Sequence, residues 1–232
     1  MYQNIPVEQI TPELAKPFLD RCYELSKTGT CNIREIGALL QLTNGMVFEG
    51  SNGSKEDSCK AKGPEYCTRD KSVGALEYLT CPSLCAEGRT MLDAYILQQD
   101  LKNARLFTTG FPCQRCKDLI IHFEIGEVYF GAYKEGYPRL HEMLYAAEMT
   151  SRGIKVFECV KTEAEYILKE IVFDREFEAF ARNAMITPGD AWLSLLLDTG
   201  YRTEILAILQ DFKNRTEPIP KNFKGVGMRV IL

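Results

Sequence analysis

No stretch of this sequence is long and apolar enough to cross a bilayer. The longest nearly apolar run, Ala191–Leu197, surrounds the only Trp and is broken by Ser194, whereas a spanning helix needs about 20 apolar residues. Excess positive charge is also missing. The 28 Lys and Arg stand against 32 Asp and Glu, a net charge of -4. That balance argues against a broad basic face on nucleic acid and confines anion recognition to a local pocket. The opening residues, MYQNIPVEQI, do not follow the charged-then-apolar order of a signal peptide. No internal repeat and no low-complexity tract is present. These absences imply a soluble, cytoplasmic protein. What is there is a 45% apolar composition over 232 residues, enough for a sizeable core in one domain with embellishments.

Histidine is scarce, with only His122 and His141, but cysteine is not: nine occur, six of them between residues 59 and 116. An odd number without a secretion signal speaks against a disulfide framework and for metal binding or catalysis. Cys22 and Cys159 lie apart from the cluster and are expected as buried free thiols. The two histidines fall in predicted helices and are expected as ordinary, partly buried residues.

Helical spacing of Leu14, Phe18, Leu19, Cys22 and Leu25 after Thr11-Pro12 predicts a helix from Thr11 to about Lys27. Pro17 would kink it or move its start to about Lys16. Asn44-Gly45 between two apolar runs predicts a hairpin closed by a tight primed turn, with positive φ at both central positions. Residues 50–83 have little periodicity, and a connection that long calls for a function or a metal clip. Helices are then expected over 86–99, from Cys113 to about Phe123, and over 138–151. They alternate with strands at Ala104–Thr108, Glu127–Gly131 and Ile154–Glu158. The alternation predicts a mixed sheet covered by helices, with a hairpin at one edge and parallel strands elsewhere. Two or three helical patterns over 162–215 and an irregular tail around Pro218 and Pro220 complete the chain.

The residues that point to chemistry are Cys85-Ala86-Glu87 and Pro112-Cys113-Gln114-Arg115-Cys116. Thiolates at C-x-x-C spacing at a helix start can close on one zinc. A third, from the start of another helix, leaves the fourth tetrahedral position open, as a catalytic zinc requires. The N–H groups and dipole of each helix start stabilise the thiolate form. Glu87, two residues past its neighbouring ligand, would lie beside that open position and carry protons. This pattern resembles the H-x-E…P-C-x-x-C signature of the zinc deaminases, in a three-cysteine form.

The resemblance is closest to the deoxycytidylate (dCMP) deaminases of the cytidine/deoxycytidylate deaminase superfamily. Gly50-Ser51-Asn52-Gly53 is similar to their G-x-N-G loop. Cys67-Thr68-Arg69 and then Cys81 resemble the C-x-R…C stretch before the ligand helix, and Thr109–Ile121 with Ile125–Tyr129 resembles the ligand helix and next strand. The match spans about residues 34–160. It implies a three-layer α/β/α cytidine-deaminase-like fold, a mixed sheet with an N-terminal hairpin, over residues 1–160. Residues 161–232 are then expected as a C-terminal helical extension. It further implies one catalytic zinc on Cys85, Cys113 and Cys116, Glu87 as the catalytic acid and base, Asn52 on the sugar and a small-molecule nucleotide as substrate. The implied reaction is dCMP to dUMP plus ammonia, in a homo-oligomer. The 5′-phosphate needs cationic donors, for which Arg69 is the first choice and Lys71 the next.

Two departures matter. The family usually has His where this chain has Cys85, and its H-A-E-x-N-A run becomes Cys85-Ala-Glu-Gly-Arg-Thr. A thiolate in place of an imidazole adds negative charge and makes zinc a poorer Lewis acid. Arg89 or Arg115 is expected to offset it by donating to a thiolate. Free-nucleoside cytidine deaminases use Cys at that position, so a nucleoside or free-base substrate is the alternative. A nucleic-acid deaminase and a non-catalytic zinc protein rank lower, the first on charge and the second because Glu87 is retained. Cys59, Cys67 and Cys81 are candidates for a second, structural zinc, with Cys31 or Asp57 as a fourth ligand.

Overall fold

The computed structural model describes residues 10–31, 34–53, 83–131, 140–162, 165–173 and 226–231. Arg69, Lys71, Cys59, Cys67, Cys81 and Asp57 lie outside these residues. The described chain folds as a seven-stranded mixed sheet in the order β2-β1-β3-β4-β5-β6-β7, with helices on both faces.

Helix α1, Pro12–Ser26, starts where its cap dictates. Thr11 is extended and accepts from the Leu14 backbone N–H, and Pro12 fills the first turn, where no N–H is needed. Pro17 sits inside this helix on its exposed side. The expected shift of the start to Lys16 does not occur. Strands β1, Gly37–Gln41, and β2, Val47–Ser51, form the expected edge hairpin, with Gln41 opposite Val47. Its turn differs from the expected primed one. The Leu42 carbonyl accepts from Gly45 N–H at 3.0 Å, the Met46 carbonyl accepts from Leu42 N–H at 2.8 Å, and only Gly45, at φ +85°, is left-handed. This is a three-residue loop whose last position needs glycine, so Asn44 is spared the left-handed region.

Helix α2, Ala86–Ile96, leads into β3, Arg105–Thr108. Then follow α3, Gln114–His122; β4, Glu127–Gly131; α4, Leu140–Ser151; and β5, Lys155–Lys161. β1 runs antiparallel to β3, whereas β3, β4 and β5 are parallel and joined through α3 and α4. Past β5 the expectation of helix and irregular tail fails in the two described pieces, while residues 174–225 of the expected helical extension lie outside the described residues. Tyr166–Phe173 is strand β6, antiparallel to β5, and Val226–Ile231 is β7, paired with β6. These two pieces of the expected helical extension and irregular tail belong to the sheet.

Alternation along the strands divides the core into two layers. Leu40, Leu106, Val128 and Val156 face α2, α3 and α4, joined by Met91, Ala94, Ile120, Ala146 and Ala147. Leu39, Phe107, Tyr129 and Phe157 face α1, joined by Ala15, Phe18, Leu19, Cys22 and Cys159. The three-layer α/β/α fold therefore stands as expected, and Cys22 and Cys159 are buried free thiols in its α1 layer. Phe107, Tyr129 and Phe157 are register partners on adjacent strands. Their rings stack at 4.9 and 4.7 Å, and Phe18 of α1 closes the series on Phe107 at 4.7 Å. No helix among the described residues is long and apolar enough to cross a membrane.

Phe107 is fully buried and sits inside the stack. Phe107→Ala is therefore expected to cost about 3–5 kcal/mol, read from the urea unfolding midpoint. A loss below about 1 kcal/mol would mean that the stack contributes little beyond filling space.

Candidate active site

Three segments meet at the carboxyl ends of the parallel strands, where α/β folds hold their ligands. The end of β2 carries Asn52 and Gly53, the end of β3 carries Thr108, and the first turns of α2 and α3 carry the cysteines. Cys85 and Cys113 are extended N-cap residues of α2 and α3. Their carbonyls accept the first helical bonds, from Arg89 and Lys117 N–H, while neither side chain makes a cap bond. The sulfurs are thus free to turn toward each other. Cys116, one turn into α3, completes the group.

Cys85 Sγ and Cys116 Sγ each lie 3.5 Å from Cys113 Sγ, and all three sulfurs fall within 4.8 Å of one another. Two sulfurs on one tetrahedral zinc lie about 3.8 Å apart, given Zn–S bonds of about 2.3 Å. Donor type and spacing therefore fit zinc. Hydrogen bonds from Cys116 and Cys85 hold the Cys113 thiol well below the usual thiol range. The same shared bonds, with burial, push Cys116 and Cys85 up. Among the described residues, this is the one group of three Cys, His, Asp or Glu side chains close enough to hold a metal ion.

Glu87 is buried in the first turn of α2. Its Oε1 accepts from the Thr108 hydroxyl at 3.3 Å, and its Oε2 lies 3.8 Å from Cys116 Sγ. Burial, then the negative charge of Cys113, pushes its carboxyl up to about 7 against the opposing hydrogen bonds from Thr108 and Cys116. A carboxyl in that range exchanges protons readily near neutral pH.

A match to the family model of the cytidine and deoxycytidylate deaminase zinc-binding region spans residues 12–132, from α1 to just past β4. The chain belongs to this deaminase family. Among solved structures, it is similar to the dCMP deaminase of cyanophage S-TIM5 in complex with dCMP and dUMP. The two are 18% identical, with 65% of this chain and 99% of that one covered at a TM-score of 0.49. It is also similar to a diaminohydroxyphosphoribosylaminopyrimidine deaminase/5-amino-6-(5-phosphoribosylamino)uracil reductase from Thermotoga maritima. There the identity is 22%, with coverage of 63% and 36% and a TM-score of 0.45. A cytidine deaminase from Burkholderia pseudomallei is 14% identical, with coverage of 49% and 79% and a TM-score of 0.34. A search of curated proteins found no match to this sequence.

The deaminase signature residues Cys85, Glu87, Cys113 and Cys116 are thus brought together. Asn52 is buried beside them, but its amide is engaged with the backbone: Oδ1 accepts from Ile36 N–H at 2.9 Å and Nδ2 donates to the Arg34 carbonyl at 2.7 Å. One amide hydrogen remains for another acceptor. Gly53 N–H bonds to the Leu84 carbonyl, one residue before Cys85. Gly53 has φ +141°, and a Cβ there would run into Thr30, so this joint admits only glycine.

Neither arginine takes its expected partner. Arg89 Nη2 donates to the Gly53 carbonyl at 2.8 Å, its Nε is buried without an acceptor among the described residues, and Arg115 is exposed. Among the described residues, neither donates to a sulfur. Arg89 ties the β2 loop to the ligand helix instead. Thr108 is the functional-site residue that the motif reading missed. Its signal was the period-two alternation of β3, which puts Thr108 on the same face as Leu106, toward α2.

Cys113→Ser is expected to lower the zinc content of the purified protein, because it removes the sulfur that touches both others. Unchanged occupancy of this site, by elemental analysis, would remove the triad as the metal site.

Proposed function

We propose that this deaminase hydrolyses the exocyclic amine of a cytosine nucleotide, with dCMP to dUMP plus ammonia as the reaction. The observation that carries the reading is the pairing of the three-thiol cluster with one buried carboxylate, Glu87, whose Oε2 lies 3.8 Å from a ligand sulfur.

Cys85, Cys113 and Cys116 would hold the zinc, which when bound supplies a Lewis acid that makes water nucleophilic near neutral pH. The chain's own groups do the rest. Glu87 takes a proton from the water that attacks C4 and delivers it to N3. It then passes a second proton from the new hydroxyl to the amine, which leaves as ammonia. The carboxylate ends as it began, with the water oxygen in the C4 carbonyl and its two hydrogens on N3 and in the released ammonia. Proximity of base and reacting atoms removes the entropy of bringing them together. Asn52 would offer its remaining amide hydrogen to a sugar hydroxyl, and Arg69, outside the described residues, would pair with the 5′-phosphate. We assign the protein to a homo-oligomer on the family resemblance and to the cytoplasm on its sequence composition.

The nucleotide choice rests on the Gly50-Ser51-Asn52-Gly53 and Cys67-Thr68-Arg69 segments. A second reading, deamination of the free nucleoside, is favoured by Cys85 in place of histidine.

Glu87→Gln is expected to retain fold and zinc while lowering turnover by roughly 10²–10⁴-fold, the worth of a positioned acid–base group. Near-normal turnover would refute the proton-carrier role. A substrate panel of cytidine, deoxycytidine, their monophosphates and cytosine, followed by the absorbance change on amine loss, decides the substrate. Arg69→Ala should weaken use of the monophosphate and leave deoxycytidine almost untouched, changing the preference by roughly ten- to a hundredfold. Deoxycytidine turned over by the unaltered protein as fast as its monophosphate would decide for the nucleoside.

A further inference from the structure

Glu87 carries two demands that conflict. It has to stand beside the metal position to move protons, yet a carboxylate there is itself a good zinc ligand. Distances show how close the conflict is. A carboxylate oxygen and a sulfur bound to the same tetrahedral zinc lie about 3.6 Å apart, from bonds of about 2.1 and 2.3 Å. Oε2 of Glu87 already lies 3.8 Å from Cys116 Sγ. A small rotation of the carboxylate would make it a fourth ligand, closing the position that has to stay open for water and substrate.

Only one side-chain hydroxyl opposes that rotation among the described residues. Thr108 is fully buried at the end of β3, and its Oγ1 donates to Oε1 of Glu87 at 3.3 Å. Its backbone is fixed within the sheet, with Ala38 opposite on β1 and Phe130 on β4. The hydroxyl is therefore held by a rigid element. Thr90, the other threonine beside Glu87, spends its hydroxyl on the Glu87 backbone carbonyl at 2.8 Å and leaves the carboxylate alone. Arg89, the nearest cation in sequence, is turned to the Gly53 carbonyl.

We propose that Thr108 is a positioning residue that keeps Glu87 off the metal, so that the carboxylate acts as a proton carrier and not as a fourth ligand. The hydroxyl takes up one carboxylate oxygen, leaving the other for the reaction. The inference deepens the deaminase reading and rests on it for the role of Glu87. It gives a role to a residue on β3, beside the thiols and carboxylate carried by the starts of two helices.

The test compares Thr108→Val, which keeps the shape and removes the hydroxyl, with Thr108→Ser, which keeps the hydroxyl. Thr108→Ala serves as a second hydroxyl deletion that does not depend on valine fitting. Each protein is loaded with cobalt(II) in place of zinc, and the visible ligand-field bands, which report the ligand set and geometry, are recorded. The valine and alanine variants should shift these bands relative to the unaltered protein while binding one equivalent of metal. Their kcat should fall by about tenfold or more, with KM little changed, as for loss of a hydrogen bond to a charged group. Serine should restore both bands and kcat. The proposal is overturned if both hydroxyl-free variants give unaltered bands, whatever their kcat, or if the serine variant is as impaired as the valine one. The two readings separate cleanly. Failure of the unaltered protein to deaminate any cytosine compound would end the deaminase assignment, while the cobalt bands would still decide whether Thr108 governs the position of Glu87.

Discussion

The site depends on one electrostatic constraint: three sulfurs are gathered within 4.8 Å and a carboxylate is packed against them. Left to themselves, these groups cannot all ionise. The shared hydrogen bonds concentrate negative charge on Cys113 and drive the protons onto Cys85 and Cys116, and Glu87 is pushed up as well. A divalent cation relieves this frustration at a stroke, because it favours every deprotonated sulfur at once. Donor type and spacing thus suit a metal ion. The charge is accommodated at Cys113, the N-cap of α3, where the N–H groups of Arg115 and Cys116 favour the thiolate.

The sheet gives this cluster its rigidity. α2 and α3 are held by the layer of Leu40, Leu106, Val128 and Val156, and the other face of the same strands is locked to α1 through the stacked rings of Phe18, Phe107, Tyr129 and Phe157. Lys117, next to Cys116, is buried and pairs with Glu148 of α4 at 2.6 Å, so the ligand helix is fastened to its neighbour through a salt bridge as well as by packing. A buried pair of this kind adds little net stability, but losing one partner is costly, which penalises misplacement of α3. Rigid support matters because the ligand sulfurs have to meet a metal within a few tenths of an ångström.

Much of this was legible in the sequence, and the reasons differ by element. Thr11-Pro12 marked the start of α1 because capping is local chemistry, whereas Pro112-Cys113-Gln-Arg-Cys116 marked the start of α3 by its proline and C-x-x-C spacing, since Cys113 makes no side-chain cap bond. The edge hairpin was legible from Asn44-Gly45, but its turn type was not. A two-residue and a three-residue loop use the same dipeptide, and the register on β1 chooses between them. β6 was read as helical because Tyr166–Phe173 has an apolar residue at nearly every other position and also at helical spacing. Its pairing with β5, a long-range contact, breaks that tie. In the site, the grouping of Cys85, Cys113, Cys116 and Glu87 was legible from their spacing and from the deaminase resemblance. The partners of Asn52 and Arg89 were not, since both bind backbone carbonyls of segments distant in sequence, and backbone acceptors leave no mark on residue type.

These backbone contacts change how the recognition side of the site is understood. Asn52 fastens Arg34 and Ile36, Gly53 is wedged against Thr30 and bonded to Leu84, and Arg89 reaches back to Gly53. The G-S-N-G loop is therefore the joint between the segment after α1 and the helix that carries Cys85 and Glu87. A substrate that displaced the Asn52 amide from Arg34 or Ile36 would loosen that joint at the same moment. Any sugar contact by Asn52 has to use the hydrogen that the joint leaves over, so the amide is oriented before substrate arrives and loses little entropy on binding. The same economy explains an arginine at position 89. A shorter side chain there could not reach Gly53 from the second turn of α2, and the loop would lose its tie to the helix that carries the chemistry.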